Sequence, residues 1–274
     1  MDYHEPVSRL LELGEQPARQ QPWPDYLAMG FTFADVPELI RLAGDDGLFL
    51  SWDDEDEEGN DEWWGPIHAR RVLGQLGAED AVAPLIDLLR WDDSDWGMEE
   101  VPRVLAMIGT AALPALREAL PRYADDPDPS AAGTVAAAMQ MIAEEHPETR
   151  DEAVAVLVDQ IRRHGEQNPE LNGMLVASLL SLRAMEAAPV IEAAYAAGDV
   201  DEMIPGDWED VQVELGLIPE RVTPRHNFLS QGLGLRGEPT GPGGQPGSAK
   251  ARKKAKDKKK AQKAARQKSR RKKR

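Results

Sequence analysis

Three stretches of the sequence carry residue types and spacings that chemistry could use. Gly232-x-Gly234-x-x-Gly237 has the spacing with which a tight turn brings backbone N–H groups to a pyrophosphate. That chemistry needs a strand before the turn and a helix N-terminus after it. Residues 232–247 instead hold seven Gly and three Pro, the composition of a flexible linker, so no nucleotide or other cofactor is expected there. The second stretch is the run Asp53-Asp54-Glu55-Asp56-Glu57-Glu58-Gly59-Asn60-Asp61-Glu62. With Asp54 at position 1 of a calcium loop, Asp56, Glu58 and Gly59 take positions 3, 5 and 6, but Gly65 stands where a bidentate Glu is required. No metal site follows. The run reads as a solvated acidic loop.

Tryptophans raise that loop above an ordinary acidic surface. Trp52, Trp63 and Trp64 flank Asp53, Asp54 and Asp56, and Trp91 and Trp96 bracket a second acidic cluster at 92–95. Carboxylates beside exposed indoles suit a basic peptide, by charge and by cation–π contact. The competing role for these tryptophans is to cover the apolar end that a stack of helices leaves open. Catalytic groupings are absent: the histidines at 4, 68, 146, 164 and 226 are scattered, with no HExxH helix, triad, nucleophile elbow or P-loop around them. His68 sits on a helix face and reads as a packed histidine rather than a ligand. No enzyme is expected.

The third stretch is the C-terminal tail. Lys250, Arg252, Lys253, Lys254, Lys256, Lys258, Lys259, Lys260, Lys263, Arg266, Lys268, Arg270, Arg271, Lys272, Lys273 and Arg274 face one acid, Asp257, a net charge of +15. The chain holds 32 Lys+Arg and 49 Asp+Glu, so 16 basic and 48 acidic residues remain for the rest, a net charge of −32. Repulsion keeps such a tail disordered when free, and phosphates could neutralise it into a helix. It has no aromatic residue, so contact with RNA or another polyanion would be to the backbone and independent of sequence. Docking of the tail onto the acidic remainder is a further expectation, because the tether holds the two at an effective concentration of order millimolar.

These candidates need elements to position them, and the elements are helices. Apolar residues recur at spacings of 3 and 4: Ile67, Val72, Leu73, Leu76; Val82, Leu85, Ile86, Leu89; Val101, Val104, Leu105, Ile108; Leu113, Leu116, Leu120. The pattern continues through Val135, Met139, Ile142; Val154, Leu157, Ile161; Leu175, Leu179, Leu182; and Val190, Ile191, Ala194. No strand alternation is visible. Gly77 and Gly109 fit helix C-caps, and Pro84, Pro114 and Pro189 fall in the first turn of a following helix. Residues 71–89, 103–120 and, more weakly, 178–195 repeat one unit: apolar helix, tight turn, small residues with Pro, apolar helix. Such a unit buries its apolar face only by stacking on its neighbours.

The stretch from Trp64 to Gly77, followed by Ala83-Pro84-Leu85-Ile86, resembles bacterial HEAT-like repeat proteins of the phycobilisome-lyase repeat type, over about residues 34–200. The resemblance implies an all-α, HEAT-like helical-hairpin solenoid and a protein partner. Some relatives end in a cysteine-rich SEC-C segment; this chain has no cysteine, and no bilin-binding grouping supports lyase activity. The expected organisation is an N-terminal capping or extension segment at 1–33, repeats at 34–217, a Gly/Pro-rich linker at 218–249 and the basic tail at 250–274. The absence of cysteines, of an 18-residue apolar window and of a signal peptide leads to the expectation of a cytoplasmic protein without a membrane span. The function expected is non-catalytic: a scaffold whose body holds a protein partner and whose tail contacts RNA or another polyanion. The alternative is a pure interaction module for a basic peptide.

Overall fold

A computed structural model describes residues 3–15, 21–45, 47–48, 61–90 and 95–224, with the side chains of 95–97 outside that set. The chain divides into a unit Met1–Pro224 and a unit Arg225–Arg274, the second outside the described residues. All regular elements among the described residues are helical. They are α1 (Val36–Ala43), α2 (Gly65–Leu76), α3 (Val82–Leu88), α4 (Asp95–Ile108), α5 (Leu113–Ala124), α6 (Ser130–Glu145), α7 (Arg150–Ile161), α8 (Pro169–Ser181), α9 (Ala188–Ala197) and α10 (Trp208–Glu214).

Two rows of helices share one core. In the first row α1 packs on α2, α2 on α4, α4 on α6 and α6 on α8. In the second, α3 packs on α5, α5 on α7 and α7 on α9. The apolar stripes read from the sequence face between the rows: Val72, Leu73, Leu85, Val104, Leu105, Leu116, Val135, Leu157, Leu175 and Ile191 are all buried. The spacing of 3 and 4 thus does what it implies, aligning one apolar face per helix toward the core.

The crossings between rows recur in form. α2 ends at Gly77, whose φ of 63° and ψ of 39° are left-handed, and the Ala78 N–H closes the turn on the Leu73 carbonyl at 3.0 Å. A short 3-10 turn, Glu79–Ala81, then starts α3. The same 3-10 entry precedes α5 (Thr110–Ala112), α7 (Pro147–Thr149) and α9 (Met185–Ala187). Pro114 and Pro189 occupy the first turn of the helix that follows, as their spacing implies. Gly109 also takes a positive φ, 88°, but with ψ of −151° it leaves α4 by an extended path rather than a left-handed cap. The α6–α7 crossing lacks the glycine marker and turns through His146 and Pro147, so it did not align with the other units by sequence.

Both ends of the unit are tied in. Val7, Leu10, Tyr26 and Phe31 are buried and belong to the core. Val7–Leu11 forms a short 3-10 helix packed on α2 and on the turn Asp61–Trp64. At the other end Arg221 folds back onto α10, meeting Asp207 at 2.6 Å and Asp210 at 2.7 Å. The compact unit therefore runs past residue 217, to Pro224. No single helix among the described residues is long and apolar enough to cross a membrane.

Candidate functional site

The densest buried polar chemistry lies between α2 and α4, beneath an irregular strap at residues 21–26. α2 presents His68, Arg71 and Gln75 at spacings of 3 and 4, one polar stripe on a helix otherwise packed by Ile67, Val72 and Leu73. α4 brings Glu100 and Arg103, one turn apart, to the same seam. Arg71 and Glu100 form a buried two-pronged pair, with Arg71 Nε to Glu100 Oε2 at 2.7 Å and Nη2 to Oε1 at 2.5 Å. Their side chains are 0% and 5% exposed, so the geometry must offset a large desolvation cost.

The strap meets this seam at four points. Trp23 lies under two guanidiniums, Arg71 at 4.5 Å and Arg103 at 4.4 Å from its ring centroid. The Gln75 side-chain amide reads the strap backbone in both directions. Its Oε1 accepts from the Tyr26 N–H at 2.9 Å, and its Nε2 donates to the Pro24 carbonyl at 2.7 Å. The Tyr26 hydroxyl lies 2.7 Å from His68 Nδ1, and His68 Nε2 lies 3.0 Å from the Gly14 carbonyl. A carbonyl only accepts, so His68 carries its proton on Nε2 and Nδ1 accepts from Tyr26. Finally, Arg103 Nη2 donates to Gln21 Oε1 at 3.4 Å.

Burial sets the electrostatics. It pushes the His68 imidazole down to about 4, helped by the nearby Arg71 charge and opposed by the Gly14 carbonyl. Burial likewise pushes the Tyr26 hydroxyl up to about 12, against the pull of Arg71. The Arg71 guanidinium is held above its ordinary range: Glu100 outweighs the opposing cost of burial. At neutral pH the seam thus contains one ion pair, one neutral imidazole and one neutral phenol. Both imidazole nitrogens are engaged within the fold, so the arrangement recognises and holds a segment; it does not relay a proton.

The residues singled out from sequence fall elsewhere. Trp63 and Trp64 are 8% and 5% exposed and stack edge to face at 4.7 Å. They pack with Ile67 in a small buried cluster. Trp52, Asp53, Asp54, Asp56 and Trp91 lie outside the described residues, as does the side chain of Trp96. The whole tail from Lys250 to Arg274 and the Gly232–Gly237 string also lie outside them. No group of three or more His, Asp or Glu that could hold a metal occurs among the described residues.

The strap site was missed because its signal is split. Half is the polar stripe His68, Arg71, Gln75 within an apolar helix, which sequence can show. The other half is Trp23 and Tyr26 in a segment with no periodicity, some 50 positions away. Fold and seam together define an all-helical, paired-helix protein with a side-chain-bound strap. Comparison of the chain with protein-family models, with curated proteins and with solved structures finds no match.

Proposed function

We propose that this chain is a non-catalytic scaffold of the HEAT-like repeat type, in which the paired-helix body contacts a protein partner and the basic tail contacts RNA or another polyanion. The observation that carries the reading is the segregation of charge. Every lysine in the sequence lies at position 250 or later, and the 249 residues before it use arginine alone for their basic groups. Lysine is a hydrated, non-directional charge suited to phosphate backbones, whereas arginine makes fixed two-pronged pairs. Three of the arginines before position 250 form such pairs: Arg71 with Glu100, Arg150 with Glu186 and Arg221 with Asp207. The two rows of helices support the repeat reading, since hairpins stacked on like hairpins leave long outer faces for a partner.

The test is binding of a single-stranded RNA by the full chain and by a chain ending at Ser248, across a salt series. The full chain is expected to bind with log affinity falling linearly with log salt, by about 0.7 per phosphate contacted, and the shortened chain to lose that binding. Equal binding by both, or affinity that ignores salt, removes the tail from the reading. The rival is a module that binds a basic peptide on the acidic, Trp-flanked surface; of its residues Trp63 and Trp64 are buried, and the acidic run up to Asn60 lies outside the described residues.

A further inference from the structure

The strap is bound in the manner of a peptide ligand. Among the described residues, 21–25 make no backbone–backbone hydrogen bond, and Tyr26 makes one, its carbonyl accepting from the Met29 N–H at 3.0 Å. What holds the segment across the seam is side-chain recognition: an amide reading two backbone groups, two guanidiniums on one indole, and an imidazole on one phenol. A segment that folded as part of the helical body would satisfy its backbone in helices. This one is read by spacing and side-chain type, the means by which grooves recognise extended peptides.

Charge also marks the seam. The sequence before position 250 holds 48 acids, yet exposed Arg103 meets no carboxylate among the described residues; its partners there are the Trp23 ring and Gln21. A basic occupant is disfavoured there, and the strap itself carries Asp25 and no basic residue. We propose that the groove between α2 and α4 is a peptide-binding site whose resident occupant is residues 21–26, and that a partner segment with a Trp and a Tyr three residues apart, in a proline-containing stretch without basic residues, displaces it. The tether gives the resident strap an effective concentration of order millimolar, so the free chain keeps the groove closed and the partner's apparent affinity falls by the fraction of time the strap is seated. The groove proposal uses no residue of the tail, and failure of one reading leaves the other standing.

The probe is a fluorescein-labelled peptide with the sequence of Gln21–Phe31, titrated by anisotropy. The full chain carrying Trp23→Ala is expected to bind it at least tenfold more tightly than the wild-type chain does. Adding Gln75→Ala to that variant is expected to weaken binding tenfold or more, and so is placing Trp23→Ala in the peptide. Equal binding by wild type and variant, or binding that ignores both further changes, overturns the proposal. Dimers of the wild-type chain at the same concentrations, without peptide capture, would assign the groove to a second copy and also overturn it. Should the variant fail to fold, hydrogen exchange on the wild-type chain decides. The Tyr26 amide is expected to exchange by local opening, independent of low denaturant; exchange only with global unfolding makes the strap part of the core and overturns the proposal.

Discussion

The contacts α2–α4 and α6–α8 occupy equivalent places in the same row of helices; both carry apolar packing, with Gly74 against Val104 in the first, but only the first adds a buried polar network. Between α2 and α4 the closest groups are charged or polar: Arg71 on Glu100, with His68, Gln75 and Arg103 gripping a strap laid across the seam. Between α6 and α8 the contact is made of volume. Gly133 gives up its side chain so that Met174 can sit against it; a Cβ there would lie 2.1 Å from the Met174 sulfur. Ala132, Val135, Ala136, Leu171 and Leu175 complete an apolar seam. One architecture therefore tolerates two solutions, and they break under different insults: the first to loss of charge, the second to added atoms.

The largest expected effect is at the charged seam. Glu100→Ala leaves the Arg71 guanidinium buried and uncompensated, and should lower stability by about 3–5 kcal/mol in a denaturant titration. The paired change Arg71→Met with Glu100→Leu should recover most of that loss, since two apolar groups of similar volume need no compensation. It should also release Trp23, which loses one of its two guanidiniums, and Trp emission would shift to the red. A Glu100→Ala loss under 1 kcal/mol would mean that the pair is solvated in solution and the comparison is wrong.

Acid separates the two seams next. His68 is neutral in the fold down to about pH 4, against an ordinary value of 6.5, so the unfolded chain binds a proton in that interval and the folded chain does not. Its contribution is therefore intact above pH 6.5 and is lost as pH falls toward 4, a change of about 3 kcal/mol. Carboxylates titrate in part of the same range, so the measurement is the difference between wild type and His68→Gln. The variant should be less stable at pH 7.5 but should show a flatter profile between pH 6.5 and 4. Parallel profiles would show that the imidazole is not desolvated by the strap.

The apolar seam makes a prediction with a change of sign. Gly133→Ala gains about 0.5–1 kcal/mol of helix propensity, but the new methyl displaces Met174, at a cost of about 1–3 kcal/mol. The net effect should be a loss. In a chain already carrying Met174→Ala the same change should stabilise, because the gap it fills is then open. Additive effects in this double-mutant cycle would show that α6 and α8 do not touch at Gly133.

How much of this was legible in the sequence follows from the range of the interactions. α2, α3, α4 and α5 were readable because apolar spacing and capping glycines are local. The α6–α7 hairpin had its stripes but no glycine at the crossing, so it did not register as a repeat, although it packs like one. The strap was unreadable: Trp23 and Tyr26 acquire meaning only from Arg71, Gln75 and His68, and nothing in a Pro-rich, aperiodic stretch announces that partner. Trp63 and Trp64 show the converse. Their acidic neighbours suggest a surface, while their burial depends on the turn Val7–Leu11 and on α2, which local sequence does not show.

The smallest prediction compares the first and last crossings directly. Leu76-Gly77-Ala78 and Leu182-Arg183-Ala184 play the same part, and the Ala184 N–H closes on the Leu179 carbonyl at 3.0 Å just as Ala78 closes on Leu73. The last crossing does so with an arginine at φ 50°, a conformation that glycine adopts freely and an L-side chain adopts at a cost of about 1 kcal/mol. Arg183 is exposed, and the bond it offers from the fold, its carbonyl accepting from Arg150 Nη2 at 3.1 Å, belongs to the backbone. Arg183→Gly should keep that bond and remove the strain. Glycine also loosens the unfolded chain, so the net gain should be about 0.5 kcal/mol. Gly77→Arg should move stability the other way, by about 1 kcal/mol, with nothing near its Cβ to add a clash. If the two changes alter stability in the same direction, the crossings are not equivalent, and the side chain of Arg183 is held by something other than its turn.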